Sequence, residues 1–250
     1  MALVWESKDS KNHYEVRSAG NSLRLYTNGI FHTQYNPRQL LTGSVWDLLM
    51  LPVFFHCPSA TKRVLILGVG GGALFHLLLE LTAAKEMVGI DCDPMHLKIA
   101  KRFFRLRNPR IQMECADARE WVDLYQGEPF DLVVDDLYGD HKGEPIRGVE
   151  ADREWLTMLK KCLSPSGTLV MNYATRDEFK GSAYYSHAAV RRGFRQTFGF
   201  TTPHCDNLVV ALLKKASSAS DLRRQLSLVP RLDPNRADCK LRYRVRRLTI

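Results

Sequence analysis

The sequence predicts an α/β fold: a Rossmann-like, doubly wound and mostly parallel sheet with a late antiparallel hairpin, preceded by a small N-terminal β-strand unit. Three observations indicate this fold. An apolar run at 63–67 leads directly into a glycine turn, strands and helices alternate from about 64 to 213, and acidic residues follow the ends of successive strands. Folds of this class bind ligands outside the carboxyl ends of their strands, so the acids mark the candidate site.

The first of these strands and the turn after it form the most informative segment. Residues 64–67 have the pattern of a strand covered on both faces, and Gly68, Gly70 and Gly72 remove side chains where the backbone turns tightly and approaches a ligand. Apolar residues at helical spacing then predict a helix over 73–83. Strand, glycine turn and helix in this order are typical of a nucleotide-type cofactor site, although such turns also close corners in domains that bind nothing.

The later elements continue the alternation and place more acids at strand ends. The predicted strands 87–90, 111–115 and 130–134 are followed by Asp91, by Ala116-Asp117-Ala118 and by Asp135-Asp136. Helices are predicted at 94–104, 118–124, 151–163 and about 183–198, a fifth strand at 167–173, and two late strands at about 199–204 and 207–213. Acids at three neighbouring strand ends line one crevice.

These acids favour an adenosyl cofactor with a short charged tail. Asp91 lies 23 residues beyond Gly68 (91 − 68), close to the offset of a ribose-binding acid. The pattern Gly-x-Gly-x-x-Ala over 68–73 also satisfies a dinucleotide fingerprint, but no second glycine turn serves a second phosphate. We expect Asp91 on the ribose, Asp117 beside the adenine amine and Asp136 near the amine and sulfonium of the tail. The predicted cofactor-binding residues are Gly68, Gly70, Gly72, Asp91, Asp93, Asp117, Ala118 and Asp136.

With these residues the chain resembles the spermidine synthase-like branch of the class I S-adenosylmethionine-dependent transferases. The resemblance covers most of 14–213 and is strongest over 63–173. Residues 21–31 look like that family's N-terminal strand pair, Leu51-Pro52 looks like its short connection before the glycine turn, and Ile66 is apolar as in spermidine synthases. The resemblance implies the same ribose, adenine and tail roles for the three acids, and S-adenosylmethionine or its decarboxylated form as cofactor.

Several departures separate the chain from the polyamine enzymes of that family. Spermidine synthases have Gly-Gly-Gly-Asp-Gly-Gly at the turn, whereas residues 68–73 contain no acid. Residues 44–46, Ser-Val-Trp, stand where the family has Tyr-Gln-Glu, and the tyrosine expected around 201–204 is missing. The segment Asp136-Leu-Tyr-Gly-Asp140 is one residue longer than the family's Asp-x-x-Asp-Pro and lacks the proline.

Three hypotheses of function follow from these matches and departures. The first is an S-adenosylmethionine-dependent methyltransferase acting on an unidentified small-molecule or amine-bearing acceptor. The second is a divergent polyamine aminopropyltransferase that uses decarboxylated S-adenosylmethionine, and the third is a noncatalytic binding module with a basic tail. For either transferase we expect Asp136 to take a proton from the acceptor, with Tyr138 and Asp140 as further catalytic candidates. The glycine-bearing stretch 139–148 is predicted to be a lid.

Charge and composition divide the chain into three parts. Residues 214–250 hold 11 Lys and Arg against 3 Asp, a net charge of +8, which leaves +1 of the total +9 for residues 1–213. We therefore predict an N-terminal β-strand unit at 1–45, a Rossmann-like catalytic domain at 46–215 and a basic C-terminal tail at 216–250. Within the tail a short helix is expected at about 221–228 and an edge strand near its end. Such a tail is a candidate for contact with an acidic partner or nucleic acid.

Other function classes are excluded or disfavoured. The chain has no run of 18 apolar residues, and Glu6, Lys8 and Asp9 interrupt any signal-peptide core, so we expect neither a membrane partner nor secretion. The six cysteines form no metal-type pair and the eight histidines no ligand spacing, so no metal is predicted. Reduced core cysteines suit a cytoplasmic location. The apolar N-terminal strands are a candidate homodimer contact.

Overall fold

The computed structural model describes residues 1–141 and 144–249. It begins with a four-stranded antiparallel sheet whose strands pair in chain order: β1 (Ala2–Lys8), β2 (His13–Ala19), β3 (Ser22–Thr27) and β4 (Ile30–Tyr35). The inner face of this sheet buries Tyr14, Val16 and Leu25 against the next unit of the chain. The alternation of buried and more exposed positions along β2 is typical of an antiparallel sheet with one covered face.

The following segment contains the glycine turn and the alternating strands and helices. Its elements are α1 (Val45–Met50), β5 (Arg63–Leu67), α2 (Ala73–Leu81), β6 (Glu86–Asp91), α3 (Pro94–Arg102), β7 (Ile111–Cys115), α4 (Ala118–Leu124) and β8 (Phe130–Asp135). Short 3-10 segments occupy Leu51–Phe55 and Pro58–Ala60. Aspartates that directly precede α3 and α4 accept hydrogen bonds from the first backbone N–H groups of those helices, which fixes where each helix begins.

The rest of the chain completes a second, larger sheet. The elements are β9 (Tyr138–His141), β10 (Glu144–Arg147), α5 (Arg153–Lys161), β11 (Leu163–Tyr173), α6 (Arg176–Gly181), α7 (Ala183–Ser186), α8 (Ala188–Arg191), β12 (Gln196–Thr202), β13 (Cys205–Leu213), α9 (Ala219–Ser227) and β14 (Arg244–Arg247). The large sheet has the order β14-β12-β13-β11-β8-β5-β6-β7. Its β11-β8-β5-β6-β7 portion is parallel, and β13, β12 and β14 add antiparallel pairings. The predicted fold class is thereby confirmed.

One predicted helix was wrong in extent. The sequence predicts a helix over about 183–198, but the structure has only the one-turn helices α7 and α8, and β12 begins at Gln196. Gly193 adopts a left-handed φ of 97°, which ends the helical stretch. The pairing of β12 with both β13 and β14 then outweighs local helix propensity, because β12 is held from both sides.

The basic segment at 216–250 packs onto the main sheet. It contains a helix, α9, and a strand, β14, that pairs antiparallel with β12. Leu222, Leu226 and Leu232 have no exposed surface and belong to the same core as the strands of the large sheet. The arginines of β14 remain exposed at Arg244, Arg246 and Arg247. The segment therefore combines an apolar face that covers the core with a charged face toward solvent.

The stretch predicted as a lid forms a hairpin. Strands β9 and β10 pair antiparallel, and residues 142–143 of the predicted lid lie outside the described residues. The hairpin begins directly after the tip of β8, where Asp136 is located. Within the described residues, no helix is both long and apolar enough to cross a bilayer.

Candidate active site

The parallel strands bring the predicted site residues to one edge of the large sheet. Because β11, β8, β5, β6 and β7 are neighbours in that order, their carboxyl ends form a row. Along this row lie Asn172, Asp136, Gly68, Asp91 and Asp117. A backbone hydrogen bond connects the turn to the neighbouring strand, because the Gly68 N–H donates to the Ile90 carbonyl at 2.8 Å.

The glycine turn makes close contact with protein on both sides. Gly68, Gly70 and Gly72 have left-handed φ values of 90°, 52° and 86°, so each position favours glycine. A Cβ at Gly68 would overlap the backbone carbonyl of Asp136, and one at Gly70 would lie 3.0 Å from Thr33 Oγ1. The predicted tight turn is present, and its lack of side chains serves packing against the β8 tip and β4.

Strand β4 of the N-terminal sheet covers the outer side of this turn. The Gly71 N–H donates to Thr33 Oγ1 at 2.7 Å, and Thr33 itself is 1% exposed. The two sheets therefore meet at the candidate site. This contact was not predicted, because no local pattern links a strand at 30–35 to a turn some 35 residues later.

Asp91 is buried and already bonded to the turn. Its Oδ2 accepts from the N–H groups of Val69 and Gly70 at 3.0 and 2.9 Å, and its Oδ1 accepts from the Asp93 N–H at 2.9 Å. Burial by itself raises the pKa of this carboxyl, but the nearby His96 and the backbone donors lower the pKa overall. Asp91 is therefore an anion that organises the turn, with lone-pair capacity left on Oδ1 for a hydroxyl group.

Two histidines lie behind this acid. His96 Nδ1 is 3.5 Å from Asp91 Oδ2, and its Nε2 is 2.9 Å from Thr27 Oγ1. Burial opposes protonation of His96, but Asp91 raises its pKa overall. The His32 ring lies 4.9 Å from the His96 ring, and burial together with the charge of His96 lowers the pKa of His32 to about 4. His32 is therefore neutral near pH 7, and it lies close enough to both Asp91 and Asp140 to feel their charges.

Asp93, Asp117 and Ala118 occupy helix starts. Asp93 Oδ1 accepts from the Met95 N–H at 2.8 Å, and its Oδ2 accepts from the Tyr14 hydroxyl at 2.8 Å. Asp117 Oδ1 accepts the first N–H groups of α4 at 2.8 and 3.0 Å, and Ala118 is the first residue of that helix. Both carboxylate oxygens of Asp93 are thus occupied by hydrogen bonds within the protein. The exposed Asp117 has its Oδ2 available for a ligand amine.

Asp136 has the features of a proton acceptor. Its Oδ1 accepts from Asn172 Nδ2 at 2.8 Å, and Asn172 Oδ1 in turn accepts from Asn207 Nδ2 at 3.0 Å. Burial raises the pKa of Asp136 to about 6, against the hydrogen bond from Asn172, which lowers it. The amide pair was not predicted, because Asn172 and Asn207 come from strands whose pairing the sequence does not reveal.

The adjacent acid, Asp135, is neutralised by a buried cation. Its Oδ2 accepts from Arg147 Nη2 at 2.6 Å and from Trp155 Nε1 at 2.9 Å. Arg147 Nη1 also donates to the Asn172 carbonyl at 2.5 Å, and its guanidinium lies 5.2 Å from the centre of the Tyr173 ring. Two consecutive aspartates therefore have different roles: Asp135 anchors the hairpin through Arg147, whereas Asp136 forms no ion pair among the described residues.

The other two catalytic candidates lie on the hairpin. The Tyr138 hydroxyl lies 3.1 Å from the Asn172 carbonyl and 3.2 Å from Glu178 Oε2, so its single proton can be donated to either oxygen, and burial raises its pKa. Asp140 is exposed, and its Oδ2 accepts from Asn28 Nδ2 at 3.3 Å, which ties the hairpin to the N-terminal sheet. Tyr138 is thus a wall residue beside Asp136, and Asp140 links the hairpin to the N-terminal sheet.

This set of groups fits an adenosyl sulfonium. Such a cofactor presents hydroxyl and amine donors and a positive charge, and the strand tips present carboxylates at Asp91, Asp117 and Asp136. A pyrophosphate fits poorly, because it needs free backbone N–H groups at the turn. Those of Val69 and Gly70 already donate to Asp91.

One group of side chains with potential metal-ligand atoms lies away from the candidate active site. Among the described residues, Glu6, His13 and Glu15 have ligand-type atoms within 4.8 Å of one another on the N-terminal sheet. His13 Nε2 is already 3.0 Å from Glu6 Oε2, and Glu15 accepts from Arg17. These residues do not touch the row of strand tips.

Comparisons with known proteins agree with this fold. A family model described as a methyltransferase domain matches residues 58–210, more than half of the chain. The chain belongs to the methyltransferase domain family. The predicted spermidine synthase-like, class I fold is confirmed, and S-adenosylmethionine or its decarboxylated form is the cofactor class.

Two of the relatives are named polyamine aminopropyltransferase. The chain is 29% identical over 171 residues to a polyamine aminopropyltransferase of Vibrio vulnificus, covering 66% of this chain and 54% of that protein. It is 27% identical over 163 residues to a polyamine aminopropyltransferase 2 of Caldanaerobacter subterraneus, covering 64% and 53%. The chain thus spans about half the length of these curated relatives. A probable spermidine synthase from Corynebacterium glutamicum shares the fold, with a TM-score of 0.72 and 14% identity over 91% of this chain and 88% of that one.

Proposed function

We propose that this chain transfers an aminopropyl group from decarboxylated S-adenosylmethionine to an amine acceptor. The relatives named polyamine aminopropyltransferase support this hypothesis over the methyltransferase that the sequence alone puts first. This support applies to the part of the chain that aligns with these relatives. The observation that carries the proposal is Asp136, a partly buried acid at a strand tip, with one oxygen held by Asn172 and no ion pair among the described residues.

Asp136 would bind and deprotonate the acceptor. An amine in water near pH 7 is an ammonium, and it must lose a proton before its nitrogen can form a bond. A carboxyl whose pKa is raised to about 6 is ionised at pH 7 and still basic enough to receive that proton. The cofactor supplies, when bound, a carbon made electrophilic by its sulfonium, which leaves as a neutral thioether. The protein therefore has to align the reactants and exclude water.

The hairpin would close the acceptor side of the site. Arg147 fixes its second strand to the core through Asp135, and Asn28 holds Asp140 from the N-terminal sheet. Tyr138 lines the wall next to Asp136 and lacks an independent proton-transfer role, because burial makes its hydroxyl a weaker acid. We assign Asp136 as the base and Tyr138 and Asp140 as residues that shape the acceptor site.

Methyl transfer from S-adenosylmethionine is the second candidate. A specific observation favours it: Gly71 stands at the position of the acid in the spermidine synthase turn, and its N–H donates to Thr33 Oγ1 at 2.7 Å. One carboxylate fewer weakens the attraction for a second ammonium group of a polyamine. The same base, Asp136, would serve an amine acceptor in this reaction.

Product analysis distinguishes the two reactions. The purified chain is incubated with 1,4-diaminobutane and either cofactor, and the adenosyl product is identified by mass spectrometry. The proposal predicts methylthioadenosine from the decarboxylated cofactor, whereas S-adenosylhomocysteine from the carboxylated one indicates methyl transfer.

Asp136→Asn should lower the rate by roughly 10²–10⁴-fold, the usual contribution of a general base. Asp123→Asn, an exposed aspartate on α4, is the matched control and should retain full rate. Equal rates for the two variants would contradict the assignment of Asp136.

A further inference from the structure

A second concave site lies away from the strand tips. A cavity of about 540 Å³ is bounded by residues 34–42, by one face of α2, and by Arg231, Asp238 and Lys240. Its volume is in the range of small-molecule sites. None of the acids at the strand tips borders it. The three walls come from the N-terminal sheet, the main sheet's first helix and the C-terminal basic segment, so the cavity exists only when all three are folded together.

The acids of this cavity are already neutralised. Glu80 Oε1 lies 3.2 Å from Arg231 Nη1, and Asp238 Oδ1 lies 3.1 Å from Arg236 Nε. Both pairs are exposed; Glu80 and Arg231 both line the cavity, whereas Arg236 lies next to the lining residue Asp238 in the chain. Neither carboxylate therefore compensates the remaining positive charge of the lining.

Two cations of the lining have no acidic partner among the described residues. Lys240 Nζ lies 3.4 Å from the amide oxygen of Gln39. In the part of the chain that the structure describes, the Arg38 guanidinium forms no ion pair, although its backbone N–H donates to Asn36 Oδ1 at 2.9 Å. Charged donors that converge on one cavity without a carboxylate favour an anion, and phosphate is the group that an arginine and a lysine together bind well.

The cavity also has a planar aromatic wall. The Tyr35 and His76 rings are stacked, with centroids 4.2 Å apart and planes 24° apart. His76 Nε2 donates to the Phe104 carbonyl at 2.7 Å, and burial lowers the pKa of His76. The ring is therefore neutral, with Nδ1 as an acceptor. A flat ligand group with an N–H donor can lie against this wall.

We propose that this cavity binds a mononucleotide, with its phosphate between Arg38 and Lys240 and its base against Tyr35 and His76. The volume, the uncompensated charge and the planar wall all belong to one lining. The inference is independent of the transfer reaction, because it uses none of the residues at the strand tips.

Calorimetry on the full chain tests this site with defined probes. Adenosine 5′-monophosphate should bind, and adenosine and inorganic phosphate alone should each bind at least about tenfold more weakly, since each keeps only part of the contacts. Binding should persist with S-adenosylhomocysteine at saturation, because the two sites are separate. Displacement of the mononucleotide by that compound would place it at the strand tips and overturn the proposal.

Charge-removing variants locate the phosphate. Arg38→Gln and Lys240→Gln should each weaken mononucleotide binding about tenfold or more, as expected for a charge-assisted hydrogen bond. Both side chains are exposed, so both variants should fold. Lys98→Gln and Arg192→Gln, exposed cations outside this cavity, are the matched controls and should bind as the unmodified chain does. No heat of binding at millimolar mononucleotide, or equal affinities in all four variants, would refute the site.

Discussion

The buried pair of Arg147 and Asp135 should be a large single contribution to the stability of the candidate site. The Arg147 side chain is 7% exposed and that of Asp135 is 0% exposed, and the ion pair is 2.6 Å long. Arg147→Met keeps much of the apolar stem but leaves Asp135 with two neutral donors and no cation, the Trp155 Nε1–H at 2.9 Å and the Leu137 N–H at 3.4 Å. Removing one partner of a buried pair costs about 3–5 kcal/mol, because the other charge stays buried. For a chain of this size that corresponds to a fall of roughly 6–20 °C in Tm, at about 2–4 °C per kcal/mol.

Thermal unfolding followed by circular dichroism measures this loss of stability, and a surface ion pair serves as the control. Arg119 pairs with Asp152 and Glu154 at the surface, with 34% of its own side chain exposed. Arg119→Met should cost about 1 kcal/mol or less. If Arg147→Met lowers Tm no more than Arg119→Met does, the buried pair is not the anchor that we describe. A double variant with Asp135→Asn should cost less than the sum of the two single changes, because both remove one interaction.

Three further predictions concern pH, the basic segment and the glycine turn. The kcat/KM of the transferase should fall as pH drops below about 6, because protonation of Asp136 removes the base, and an acid limb that persists in Asp136→Asn would contradict this. In urea unfolding, Leu226→Ala should cost about 2–5 kcal/mol because Leu226 is fully buried, and Leu228→Ala, at a side chain that is 70% exposed, should be nearly neutral. Equal effects would mean that the 216–250 segment does not pack on the core. Gly68→Ala should destabilise by more than about 1 kcal/mol through its left-handed φ and the Asp136 carbonyl, whereas Gly181→Ala, with open space around it, should change stability by less than that.

The parallel core of the fold follows from local sequence patterns. Strands β5, β6, β7 and β8 and the glycine turn were predicted because short apolar runs, turn residues and capping aspartates are all local signals. The acids at the strand tips could be placed on one edge because parallel strands share that edge. These parts needed no knowledge of which residues touch across long distances.

The remaining parts of the site depend on contacts between distant segments. Thr33 and His32 reach the turn only because the N-terminal sheet packs against it, and Arg147 reaches Asp135 only after the hairpin folds back. The helix predicted over 183–198 gave way to β12, which is stabilised by strands on both sides. Periodicity within one segment cannot reveal such partners. The composition of residues 216–250 predicts a basic tail, but several of its leucines belong to the core of the large sheet.

Calorimetric titration of the chain with decarboxylated S-adenosylmethionine, S-adenosylmethionine and NAD tests the assignment of the strand-tip site most directly. We predict that both sulfonium compounds bind, that NAD does not, and that Asp136→Asn weakens the decarboxylated cofactor by about tenfold or more because a charge-assisted contact is lost. Asp123→Asn should leave both affinities unchanged. Binding of NAD alone, or sulfonium affinities that are the same in both variants, would contradict the central claim.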